Sequence, residues 1–346
     1  MPSAQIAALA YNKQISAINN VPELSEYDMF LWSRKACNPF EVLGEGRARG
    51  LNKYFVNRSA IKLANINACL DFIITRPKGC DSFHFVDLCA APGGWSEYLV
   101  QSCMNMGYSS IRGCGMSLKG MNEHGKGTRW NLEEEESCAF EYKIIWGADG
   151  TGDIYNWENV VHLRHELGEM PIDAVVCDGG MEGQRDQENQ EQVAQKLVIC
   201  EVAAALSILS NGGIMVLKAF GFQTSLIRNM VQDLATLFED FVITKPISSR
   251  PASAERYLVM IGFKGADGFD GRKWRDLILL GQSISDLNDD HAKKVQSYLD
   301  VVDRDMLVLN IKACLGMIFK MEQISNGLES NSDEVNVAAY KREWRL

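Results

Sequence analysis

The chain has 346 residues, of which 46% are hydrophobic and 23% charged, and its formal net charge is −10. That composition is ordinary for a soluble globular protein, and a net charge of −10 does not look like that of a nucleic-acid binder, so contact with any polyanion would have to come from a local basic surface. The ten cysteines are scattered, with no C-x-x-C pair and no histidine at metal-ligand spacing. Reduced thiols are expected, with neither a disulfide framework nor a metal site. No apolar run reaches membrane-spanning length, and the patch Ile6–Tyr11 is too short for a signal peptide.

In chain order, residues 1–30 are mixed and polar. Residues 31–58 carry Arg34, Lys35, Arg47, Arg49, Lys53 and Arg58, with Phe40, Tyr54 and Phe55 interleaved. Basic residues among aromatics suit phosphate contact with base stacking. Taken alone, the stretch reads as solvated surface with a few core aromatics. Asn57–Phe72 has a helical apolar stripe, Ser59 is placed to cap it, and Lys62 falls in its first turn, where a cation is mildly disfavoured.

Phe83–Val100 reads FHFVDLCAAPGGWSEYLV. It predicts a buried strand to Leu88, a turn of small residues, and a helix from Trp95. Strand, small-residue turn and helix is how an open α/β sheet builds a nucleotide site. Neither G-x-G-x-x-G nor G-K-[ST] is present, so no dinucleotide or P-loop pyrophosphate site is expected. Small residues with Asp87 beside them suit a cationic, phosphate-free ligand, and S-adenosylmethionine fits that description; the other reading of the turn alone is a tight strand–helix connection with no ligand.

A second strand is predicted at Ile111–Ser117, without the terminal acid that commonly holds ribose hydroxyls. Met121–Ser137 reads as a surface loop whose acidic run, Glu133–Glu136, is solvated. A third strand, Tyr142–Trp146, ends in the glycine- and acid-rich 147–154, whose glycines permit close backbone approach and whose carboxylates accept hydrogen bonds. The fourth, Ile172–Cys177, ends at Asp178 with two glycines behind it. A long helix runs to about Ser210. The fifth strand, Ile214–Leu217, ends at Lys218, and an ammonium directly after a buried strand has to be paired. A helix over Ser225–Phe238 and strands over Phe241–Lys245 and Tyr257–Gly262 follow, with Glu255 opening the last. Helices are predicted at Lys273–Leu280, His291–Val302 and Met306–Met321.

Several of these stretches carry a resemblance. DLCAAPGGWSEYL resembles the first motif of the FtsJ-like (RrmJ-type) methyltransferases. NRSAIKLAN, GMSLKG, the D-G-x-G-D-I segment, GGIMVLKAF and KPISSRPASAERY are similar to segments of the eukaryotic cap-specific mRNA 2′-O-methyltransferases of cap-1 type. The resemblance implies an α/β, Rossmann-like methyltransferase fold with a mixed, mostly parallel seven-stranded sheet, helices on both faces, and N- and C-terminal helical extensions. The expected division is a lead-in over 1–56, a catalytic core over 57–264, and a helical extension over 265–346. It also implies S-adenosylmethionine as cofactor and capped mRNA as partner, with no membrane, and a nuclear location.

The same resemblance assigns residues. Lys62, Asp178, Lys218 and Glu255 match a catalytic Lys-Asp-Lys-Glu tetrad. Asn57, Asp87, Cys89, Ala90, Ala91, Pro92, Gly93, Gly94, Trp95, Asp153 and Ile154 fall at cofactor positions. Arg34, Asn189, Gln190, Glu191 and Ser253 fall at substrate positions, Ser253 standing where the family has asparagine. A ribose hydroxyl needs its proton removed, and Lys218 can accept it if burial and the Lys62 ammonium bring its pKa down towards neutrality. Two other readings stand beside this one. The chain could methylate uncapped rRNA or tRNA, or another cap-proximal nucleotide. It could also be an inactive methyltransferase fold that binds RNA.

Overall fold

Alternation along the strands decides which side chains meet. In a computed structural model, which describes residues 37–38, 40, 55, 57–76, 79–119, 135–136, 139–180, 189–265, 269–285, 289–325 and 337–345, every central strand is buried on both faces. The strands are β1 (Ser82–Leu88), β2 (Ser110–Met116), β3 (Glu135–Glu136), β4 (Phe140–Ile144), β5 (Ala174–Cys177), β6 (Ile214–Ala219), β7 (Phe238–Thr244) and β8 (Arg256–Phe263). They form one sheet in the order β3-β4-β2-β1-β5-β6-β8-β7. The run from β4 to β6 is parallel, and β8, β7 and β3 are antiparallel to their neighbours. Seven strands make the expected mixed sheet, and the two-residue β3 is an addition at its edge. Part of the acidic run is therefore edge strand rather than loop, Glu135 and Glu136 pairing with Tyr142 and Glu141.

The helices are α1 (Ser59–Cys69), α2 (Gly94–Met106), α3 (Trp157–Leu167), α4 (Gln190–Ile208), α5 (Ser225–Leu237), α6 (Gly271–Leu279), α7 (Asp290–Ser325) and α8 (Val337–Glu343). One face of the sheet, with Phe83, Phe85, Val176, Val216 and Tyr257, packs with α1, α2 and Trp344. The other, with Val86, Leu88, Cys177, Leu217 and Leu258, packs with α3 to α6 and the first half of α7.

Two local expectations are corrected. Ser59 is the first helical residue of α1 rather than its cap; Arg58 holds the cap position without a side-chain cap bond, and the Asn57 carboxamide oxygen, one residue earlier, accepts the Ser59 N–H at 2.9 Å. The two helices expected over 291–321 are one helix of 36 residues. The polar run Asp303-Arg304-Asp305 looks like a break, but it holds no glycine or proline, and Asp303 turns inward to an arginine partner.

Candidate active site

Order reverses at β1, whose neighbours β2 and β5 lead the chain to opposite edges, and ligands of open α/β sheets bind at the carboxyl ends beside such a point. The loop after β1 lies there. Cys89 has φ +56°, Gly93 φ +100°, and Ala91–Pro92 is a cis peptide. Ala90 N–H donates to Met116 O at 3.1 Å, which draws the loop over the end of β2. Trp95 Nε1 donates to Ser59 O at 2.9 Å and its ring lies 5.6 Å from Tyr257, so the loop is tied to α1 and to β8.

Asp87 behaves differently from an open carboxylate. It is fully buried, and Oδ2 accepts from Ser96 N–H at 3.1 Å and from Ser96 Oγ at 2.7 Å. Burial pushes its pKa up to about 8 against those hydrogen bonds, with the nearby Asp178 adding to the rise. It therefore pins the start of α2 rather than offering a charge to a cation. Its Oδ1 has no donor among the described residues. Gly94 is also filled from an unexpected side: a Cβ there would run into Asn57 Oδ1 and Ser59 Oγ. Asn57 thus reaches the loop through the space that glycine leaves open.

The loop after β4 closes the other flank. Both Asp149 oxygens are used within it, accepting from Thr151 N–H at 2.9 Å, Thr151 Oγ1 at 2.6 Å and Asn156 Nδ2 at 2.7 Å. These bonds hold its carboxyl well below the usual carboxylate range and make it a loop residue. Asp153 Oδ1 accepts the Tyr155 N–H at 2.9 Å, and Ile154 is buried. A Cβ on Gly152, at φ +68°, would collide with Ser117 O, so this loop fits against the end of β2 only with glycine there.

Alternation carries Asp178, Lys218 and Glu255 to the face that α1 covers, where Lys62 points inward. Lys62 Nζ lies 2.8 Å from Glu255 Oε2, and Ser249 Oγ donates to Glu255 Oε1 at 2.9 Å. Lys218 Nζ lies 3.0 Å from Asp178 Oδ1 and donates to Asp178 O at 2.6 Å. Both lysines are buried. Against the burial that would raise it, the Lys62 and Lys218 ammoniums hold Glu255 well below the usual carboxylate range. The expected fall in the Lys218 pKa does not occur in this state. Burial lowers it, but the Asp178 and Glu255 carboxylates outweigh burial, and the net shift is upward.

Three groups around this edge escaped the sequence reading. Glu201 on α4 is fully buried, and its Oε1 accepts the Gly179 N–H at 2.9 Å, directly behind Asp178. Burial pushes its pKa up to about 8, more than the neighbouring Lys218 brings it down. Its available signal was a lone acid inside the apolar run 197–206. Lys245, at the end of β7, donates to Ser253 O at 2.7 Å and Glu255 O at 2.8 Å; burial lowers its pKa to about 8. It carried the same signal as Lys218, a lysine ending a strand. Arg256 pairs with Asp303 of α7 at 2.7 Å.

The expected substrate residues are dispersed. Ser253 Oγ accepts the Glu255 N–H at 3.1 Å, beside the Lys62–Glu255 pair. Asn189 and Gln190 open α4. Glu191 accepts Gln223 N–H at 2.9 Å, Thr224 N–H at 2.6 Å and Thr224 Oγ1 at 2.8 Å, so its carboxylate organises the loop after β6. Arg34 lies outside the described residues.

The glycine-bearing loops at the carboxyl edge of the sheet thus lie beside two buried lysine–carboxylate pairs, Lys218–Asp178 and Lys62–Glu255. The pattern of the FtsJ-like methyltransferases matches residues 55–263, and the chain belongs to that family. The methyl donor of this family is S-adenosylmethionine. Its relatives include the mouse cap-specific mRNA (nucleoside-2′-O-)-methyltransferase 1, 32% identical over 251 residues. The Drosophila melanogaster protein of the same name is 30% identical over 240 residues. These matches cover 67% and 66% of this chain but 28% of each relative. The chain thus spans under a third of the length of the relatives it matches. A solved Plasmodium falciparum protein described as a ribosomal RNA methyltransferase is similar at 18% identity and a TM-score of 0.42, over 61% of this chain and 99% of that one.

Proposed function

We propose that the chain is an RNA 2′-O-methyltransferase that modifies the first transcribed nucleotide of capped mRNA, converting cap-0 to cap-1, and that it works in the nucleus. The observation that carries this reading is the pair of buried ion pairs, Lys218–Asp178 and Lys62–Glu255, at one sheet edge beside the cofactor loop. The names of the relatives support the capped substrate.

S-adenosylmethionine supplies a methyl on positive sulfur, and attack by the ribose oxygen forms the O–C bond as the C–S bond breaks. The residues fit that donor: the loops at Cys89–Trp95 and 149–154 both lie against the end of β2, and Asp87 Oδ1 is a buried carboxyl oxygen with no hydrogen-bond partner among the described residues. Asn57, Asp153 and Ile154 would hold the donor at its rim. Lys218 accepts the ribose proton at Nζ. It starts as an ammonium paired with Asp178; a positive charge bound beside it lowers its proton affinity, that proton leaves to solvent, and the neutral amine then takes the proton of the ribose hydroxyl. Asp178 keeps Nζ aimed along one direction through two contacts. Glu255, held ionised by Lys62 and Ser249, balances the second lysine. The protein's contribution is mostly positioning, which is worth orders of magnitude in rate.

The test is methyl transfer from labelled S-adenosylmethionine to matched capped and uncapped RNAs, followed by nucleoside mapping. Label on the 2′-oxygen of the first nucleotide of capped RNA alone is expected. Equal labelling of uncapped RNA, or of an internal nucleotide, overturns the cap assignment, and no labelling overturns the activity.

A further inference from the structure

The segment that opens β8 is held from outside the matched region 55–263. Asp303 belongs to α7, and its carboxylate is 10% exposed against 6% for its partner Arg256. Asp303 Oδ1 lies 2.7 Å from Arg256 Nη1 and also accepts the Phe222 N–H at 3.3 Å. Arg256 Nε donates to Ala254 O at 3.1 Å, so one side chain grips the chain on both sides of Glu255. Arg228 Nε takes Phe222 O at 2.6 Å, while its Nη2 lies 3.7 Å from Asp303 Oδ2. Both backbone groups of Phe222, four residues after Lys218, therefore end on this one cluster.

A buried ion pair is an inefficient source of stability, because apolar residues of the same volume do as well or better. Its distinguishing property is direction: a guanidinium and a carboxylate lock relative orientation as apolar side chains do not. Here the orientation concerns the chain around Glu255 and the loop that follows Lys218.

The geometry points to Asp303 as a positioning residue for methyl transfer: from α7 it fixes, through Arg256 and Phe222, the two segments that carry Glu255 and Lys218. The inference rests on the catalytic reading of those residues given above. It makes the helical extension part of the working site, with the reacting groups on the core and their alignment supplied from α7.

The experiment compares the full chain with Asp303→Asn, Asp303→Glu and Asp300→Asn. Asp300 pairs with Arg228 at 2.7 Å but is 67% exposed and does not touch Arg256. Single-turnover transfer is measured at saturating S-adenosylmethionine on the RNA that the parent methylates. It is expressed per cofactor-binding molecule, counted by calorimetric stoichiometry. Asp303→Asn should lower that rate by about 10- to 100-fold, the scale of a misplaced reacting group, while cofactor affinity stays near parental. Asp303→Glu should recover part of the loss, and Asp300→Asn should match the parent. A purely structural Asp303 gives a lower melting temperature and fewer competent molecules with an unchanged rate for each, and that result overturns the inference. Should Asp303→Asn yield no competent protein, Asp303→Glu decides alike: a reduced rate supports the inference and a parental rate overturns it. A parent that methylates no RNA at all overturns the functional reading, and this inference with it.

Discussion

Lys218 is bound twice by one residue: its Nζ meets both the side-chain carboxylate of Asp178, at 3.0 Å, and that residue's backbone carbonyl, at 2.6 Å. The carboxylates around it favour its charged form, so under the proposed mechanism Lys218 has to shed a proton before it can accept one. Lys218→Ala and Lys218→Arg should each lose at least about 100-fold in single-turnover rate, arginine because it cannot give up its proton usefully. Asp178→Asn removes the counter-charge, lowers the Lys218 pKa, and should move the acid limb of the pH–rate profile to lower pH with a smaller maximum. Rates between pH 6 and 10 check both, and a near-parental Lys218→Arg enzyme would reduce Lys218 to an electrostatic clamp.

Glu201 and Asp87 make stability depend on pH. Each has a folded pKa of about 8, above the ordinary unfolded values of about 4.3 and 3.9. The unfolded chain releases these protons first, so folding stability is greatest below the unfolded values and falls as pH rises towards 8. The slope is about 1.4 kcal/mol per pH unit per group. Glu201→Gln removes one of the two slopes and keeps a side-chain acceptor for the Gly179 N–H. Urea unfolding at pH 5.5 to 8 should show the variant gaining on the parent as pH rises; parallel curves would mean that Glu201 is ionised in the folded protein.

Gly94 should tolerate no side chain, because a Cβ there meets Asn57 and Ser59 rather than open space. Gly94→Val should displace Asn57 and weaken S-adenosylmethionine by more than about tenfold while circular dichroism stays native. Calorimetry with the cofactor alone reads this, and unchanged affinity would remove both Gly94 and Asn57 from the cofactor site.

RNA affinity should fall with salt, with a log–log slope of roughly −0.7 per phosphate contacted on a single strand. Arg34→Glu should weaken capped-RNA binding and leave cofactor binding alone. Equal affinities for variant and parent across a salt series would make the segment around Arg34 ordinary surface.

The sheet was legible because buried parallel strands are continuous apolar runs, and Asp178 and Lys218 stood out as charges ending such runs. Lys62 and Glu255 were legible through resemblance; periodicity alone leaves Lys62 an odd lysine in a first helical turn. The direction of the Lys218 shift was not legible, because it is the sum of burial and carboxylates that lie 40 and 37 residues away in sequence. Glu201 and Asp303 were hidden for a related reason. An acid in an apolar helix, or in the polar run 303–305, shows its purpose only when its partners, Gly179 N–H and Arg256, are brought to it.

The Lys245 clamp has a consequence for how this chain can vary. One ammonium holds the carbonyls of residues 253 and 255, so the contour length from Lys245 to Glu255 is set like the span of a buckle. What the clamp grips is backbone, and what Ser253 adds is one oxygen that accepts the Glu255 N–H, a task that the asparagine expected there can perform as well. Replacements within 246–254 that keep an acceptor at 253 should therefore be absorbed. A single inserted or deleted residue should carry Glu255 away from Lys62 even though the β7–β8 pairing beyond it survives intact. The stretch is permissive in spelling and strict in length.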